Sequence, residues 1–135
     1  VRLAALAVAV ALTAGCVNYP TVMDAGGTRL RPDKGRAVRN GDTASVYFDV
    51  KSTGKYGDVI MAVYSPVARQ AKMVDGDGDP VPRVEVPGST TMSFTPDGPH
   101  VVLSDLVRPL LAGETIIVTL VFEKSGGIGV ITTVE

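Results

Sequence analysis

Apolar side chains recur at every second position from Thr115 to Phe122, where Ile116, Val118, Leu120 and Phe122 share one face. Ile117 and Val121, with two threonines, take the other face, and a strand apolar on both faces is expected inside a sheet or sandwich. The same short period predicts strands over Ala44–Val50, Val59–Tyr64, Thr90–Thr95, His100–Leu103 and Ile128–Val134, each bounded by turn residues. Thr115–Lys124 and the last strand, joined by Ser125-Gly126-Gly127, are expected to form a hairpin. Val67–Val74 fits neither period cleanly and is read as a strand, while Pro82 makes Val81–Val86 an edge strand or an extended loop. Ser104–Leu111, broken by Pro109, is at most one helical turn, and Met61, among Val59, Ile60 and Val63, is expected in the core. Short strands between turns predict an all-β sandwich.

The first residues have a different pattern. From Leu3 to Ala14 only Thr13 is polar, and as a helix this run would reach about 18 Å against the roughly 30 Å of a bilayer core. It reads as the apolar region of a signal peptide ending in Leu12-Thr13-Ala14-Gly15-Cys16. Small residues before a cysteine resemble the lipobox of bacterial lipoproteins, which implies residues 1–15 as signal peptide and Cys16 as the lipidated residue. Acyl chains there would hold the protein on a membrane without a spanning helix, and would occupy the one thiol. Residues 16–43, with Tyr19-Pro20, Gly26-Gly27 and Arg31-Pro32-Asp33-Lys34-Gly35, read as tether and loop with one short strand near Thr21–Ala25. The domain is expected over residues 44–135, long enough to bury a core without disulfides.

Charge and side-chain chemistry narrow the function. The net charge is −1 and no basic stripe is visible along the chain, which argues against nucleic acid as a partner. His100 is the only histidine, so a catalytic triad would need it with Ser104 and Asp97 or Asp105, all on one short segment without a nucleophile-elbow pattern. A non-enzymatic protein is expected. Asp75, Asp77 and Asp79 begin a calcium-loop spacing, but Pro80 stands at the sixth position and Val86 at the twelfth, so an acidic turn is the better reading. The glycines of Ser125–Gly129 open no helix and are turn residues.

Three segments taken together resemble the bacterial periplasmic copper chaperones of the PCuAC type. They are Val46-Tyr47-Phe48-Asp49-Val50-Lys51-Ser52-Thr53-Gly54, Val63-Tyr64-Ser65-Pro66-Val67-Ala68, and a C-terminal block. The block runs from Pro96-Asp97-Gly98-Pro99-His100 through Pro109-Leu110 and Gly113-Glu114-Thr115 to Phe122-Glu123-Lys124-Ser125-Gly126. The resemblance implies a cupredoxin-like, Greek-key β-sandwich and a site where histidines and methionines hold Cu(I), a soft ion suited to thioethers. His100 matches the family's second histidine. Val74 stands where the first is expected and Val102 where a ligand methionine is expected, leaving Met73 or Met92 as substitute ligands. The implied function is an extracytoplasmic, membrane-anchored lipoprotein, in the periplasm or on the outer face of the cell membrane, that binds or delivers Cu(I), with a copper-receiving or other envelope protein as partner. The alternative keeps the fold, binds no copper and acts through a protein partner.

Overall fold

A computed structural model describes residues 27–135. Nine strands run β1 (Leu30–Asn40), β2 (Thr43–Ser52), β3 (Asp58–Tyr64), β4 (Ala68–Val74), β5 (Val84–Val86), β6 (Thr90–Phe94), β7 (His100–Leu106), β8 (Thr115–Phe122) and β9 (Gly126–Val134), with no α-helix among the described residues. They form one sheet in the order β4-β7-β2-β1-β9-β8-β3-β5, with β6 on β2 beside β7. β3 and β4 lie against each other, so the sheet folds over on itself and encloses a single core. This is the expected all-β, cupredoxin-like sandwich.

Alternation builds that core. Ala44, Val46, Phe48 and Val50 of β2 point inward, as do Val101 and Leu103 of β7 and Ile116, Val118, Leu120 and Phe122 of β8. Phe48 and Phe94, paired across β2 and β6, stack with ring centroids 4.3 Å apart. β8 lies between β3 and β9, as its apolar character suggested, and the C-terminal hairpin pairs from Thr115↔Thr133 to Phe122↔Gly126. Its second face, however, is not buried: Ile117 is 43% exposed, and its cross-strand partner Ile131 is 71% exposed.

Four expectations are corrected. Residues 30–40, read as tether, form the longest strand, paired antiparallel with β2 and parallel with β9. The turn-like Arg31–Gly35 stretch is a β-bulge: the register shifts between Asp33 and Arg36, Lys34 takes φ 55°, and its N–H donates to Asp33 Oδ1 at 2.8 Å. Pro32 lies before β9 joins, where β1 is still an edge. β7 continues to Leu106 in place of a helical turn, through Asp105 at φ 50°. Met61, expected in the core, is 37% exposed because β3 shifts register between Ile60 and Ala62. The strand expected near Thr21–Ala25, the signal peptide and Cys16 lie outside the described residues.

Asp58 closes one end of the sandwich. It is 4% exposed, and its carboxylate accepts from the N–H of Val59, Lys124 and Ser125 and from Ser125 Oγ, at 2.7–3.0 Å. The β8–β9 turn is thereby held against the start of β3.

Candidate metal centre

The turn Thr95–Pro99 closes through hydrogen bonds between Gly98 N–H and Thr95 O and between Thr95 N–H and Pro99 O, and delivers His100 as the first residue of β7. Val101 and Leu103 are core residues, so alternation puts His100 and Val102 on the outer face, each half-buried. His100 Nδ1 lies 3.0 Å from the Gly98 carbonyl. A carbonyl only accepts, so the contact calls for a proton on Nδ1, and the tautomer it selects has its lone pair on Nε2. Tyr47 on β2 packs beside the imidazole with centroids 5.5 Å apart, and the Arg36 guanidinium lies 4.9 Å above the tyrosine ring. These two neighbours fix the ring's orientation from the β1 side.

β4 supplies the opposite flank. Val74 pairs directly with His100 and Lys72 with Val102, so Val74, His100 and Val102 occupy one face. Val74 is 1% exposed yet lies outside the core cluster, with Pro80 bridging to it. The three positions at which the chaperone pattern places ligands are therefore adjacent, and valines hold two of them.

The substitute methionines are not brought to His100. Met73 pairs with Val101 and is buried on the core face, one residue out of phase with His100. Met92 pairs with Val50 and packs against the same core. Met61, turned outward, lines with Met73 a cavity of 400 Å³ bounded by Pro80, Val81 and Pro82, a wall to which His100 does not contribute. Nothing in the local sequence signals this, because the β3 register shift turns Met61 outward.

The remaining candidates take ordinary places. Asp75, Asp77 and Asp79 offer oxygens within 4.8 Å of one another, but Asp75 Oδ1 accepts from the N–H of Asp77 and Asp79 and so closes the turn. His100 and Ser104 are four residues apart on one strand, about 13 Å; Ser104 Oγ donates to Gln70 Oε1 and Asp105 pairs with Arg69. No nucleophile and base converge there.

The sandwich shares its fold with PCuAC domains. Among solved structures, the copper-bound PCuAC domain from PmoF2 aligns with TM-score 0.71 and 22% identity over 78% of this chain and 92% of that one. The apo PCuAC domain from PmoF1 aligns with TM-score 0.68 and 25% identity over 82% and 94%. Cu(I)-bound DR1885 from Deinococcus radiodurans aligns with TM-score 0.64 and 24% identity over 82% and 78%. The chain belongs to the LpqE-like lipoprotein family, whose profile matches residues 11–134. A search of curated proteins finds no match.

Proposed function

We propose that this protein is a non-enzymatic lipoprotein of the bacterial envelope, anchored through an acylated Cys16, with a copper-chaperone-like role in which His100 presents Nε2 to Cu(I). The observation that carries the reading is the 3.0 Å contact from His100 Nδ1 to the Gly98 carbonyl. Metal-ligating histidines are typically oriented in this way, with the second ring nitrogen held by a backbone carbonyl or a carboxylate. Copper is cargo in this role, bound at the envelope and passed to a receiving protein. One imidazole fits a single contact and not a four-ligand cage. The thioethers of Met61 and Met73 line a cavity to which His100 does not contribute.

Val74 and Val102 favour a second reading, in which the protein keeps the fold, binds no copper and acts through a protein partner. An anaerobic Cu(I) titration against a competing chelator separates the two, with His100→Ala and a Met61→Leu, Met73→Leu pair alongside. One-to-one binding that disappears in His100→Ala while the methionine pair retains it is the expected result. The variant should unfold cooperatively and within about 1 kcal/mol of the parent, because a half-buried ring is lost at the head of a strand. No binding above the His100→Ala background would overturn the copper reading and leave the partner reading standing.

A further inference from the structure

Two rungs of the sheet surround His100 on the outer face. One runs Val74, His100, Tyr47 and Arg36 across β4, β7, β2 and β1. The next runs Lys72, Val102, Ser45 and Val38 across the same strands. Neither rung holds a sulfur atom, and Met73 and Met92 pack toward the core. The hydroxyls of Tyr47 and Ser45 are hard donors, and the Lys72 ammonium has no lone pair. Cu(I) on Nε2 therefore finds one suitable donor on this face, whereas the monovalent ion is not satisfied by a single contact and prefers sulfur. The missing donor has to come from outside the chain.

The surroundings select which donor fits. Val74 and Val102 make the floor beside the ring apolar. On the β1 side the charges cancel, with Arg36 3.1 Å from Glu135 and Lys34 3.9 Å from Asp49. On the β4 side the exposed Lys72 stands against the carboxylates of two turns, Asp97 just before His100 and Asp75, Asp77 and Asp79 just after Val74. These turns meet, since Gly76 lies so close to the Asp97 carbonyl that a Cβ there would clash. The flank is acidic on balance, which favours a monocation and opposes an incoming thiolate. A methionine thioether is neutral and soft, and its flexible apolar chain packs well on valines.

We propose that Cu(I) on His100 is completed in trans by a methionine thioether of the receiving protein, whose apolar chain lies on Val102. The proposal rests on the copper reading of His100 and adds the chemistry of the partner. The Cu–S bond forms by donation of a sulfur lone pair, with copper staying monovalent and no proton released. A site closed only by its recipient holds copper loosely until the recipient arrives.

The test uses the full chain as Cys16→Ser, so that its own thiol takes no copper, in an anaerobic Cu(I) titration against a competing chelator. N-acetylmethionine amide is the thioether probe, and N-acetylnorleucine amide, of the same shape without sulfur, is its control. The thioether is expected to raise the apparent Cu(I) affinity by about tenfold, the effect of one further weak bond, and the control to leave it unchanged. X-ray absorption at the copper edge should find sulfur in the first shell only when the thioether is present. His100→Ala should abolish the gain. Val102→Met, which supplies a thioether in cis, should show the gain without the probe and none on adding it. Copper held through His100 with no gain and no sulfur from the probe would overturn the proposal and leave the copper reading standing. An equal gain from the norleucine control, or sulfur bound from N-acetylcysteine amide but not from the thioether, would also overturn it. No copper at His100 with or without the probe would overturn both.

Discussion

Replacing Asp58 by alanine removes a carboxylate that ties the β8–β9 turn to the start of β3. Its four hydrogen bonds include one to the adjacent Val59 N–H, which is local, and three to Lys124 and Ser125 across the sandwich end. Hydrogen bonds to a charged acceptor contribute about 1.5 kcal/mol or more each. Lys124 and Ser125 are exposed, so water recovers part of the loss once the acceptor is gone. A net cost of about 2–3 kcal/mol follows. Burial would raise the Asp58 pKa, but the bonds from Ser125, Lys124 and Val59 outweigh it and leave the carboxyl below its ordinary value of 3.8. The group therefore contributes stability above the unfolded-state pKa, and this is lost as pH falls through the lower folded-state value. Urea unfolding of parent and Asp58→Ala chains should show a constant gap from neutral pH down to about 5 that narrows below about 4. Asp58→Asn, which presents a donor where Ser125 needs an acceptor, should fall on the same side. A gap under about 0.5 kcal/mol at neutral pH would show that the turn is held by its own pairing, and would refute the reasoning.

Cys16→Ser is expected to move the protein from the membrane fraction to the soluble fraction of cells after a salt wash, a test independent of copper. Retention in the membrane fraction would sink the anchor. Phe94→Ala removes a ring that is 2% exposed and stacked on Phe48, and should cost about 3–5 kcal/mol in urea unfolding. A loss below about 1 kcal/mol would mean that the β6 end of the core collapses to fill the space.

Most strands were legible because alternation is a local property. β2, β6, β8 and β9 each carry enough β-branched and aromatic residues to announce a half-buried strand without reference to a partner. β1 did not announce itself, since its proline, glycine and charges resemble a loop and only pairing with β2 and β9 makes it a strand. The site divided in the same way. His100 was legible as the one imidazole, and the resemblance to the copper chaperones drew attention to the valines around it, but the facing of Met73, Met92 and Met61 depends on register, where one residue moves a side chain to the other face.

The sequence by itself determined that the domain is all-β and that His100 is the chain's only imidazole, and its resemblance to the copper chaperones implied that Val74 and Val102 stand at ligand positions. Only the tertiary structure decided that Val74 lies directly across from His100, that Met61 and Met73 share a cavity, and that the turns carrying Gly76 and Asp97 meet beside that pair. The physical reason is that composition and period are set residue by residue, whereas these neighbours belong to different strands and turns. Their meeting depends on strand order and pairing register, which the whole core fixes at once.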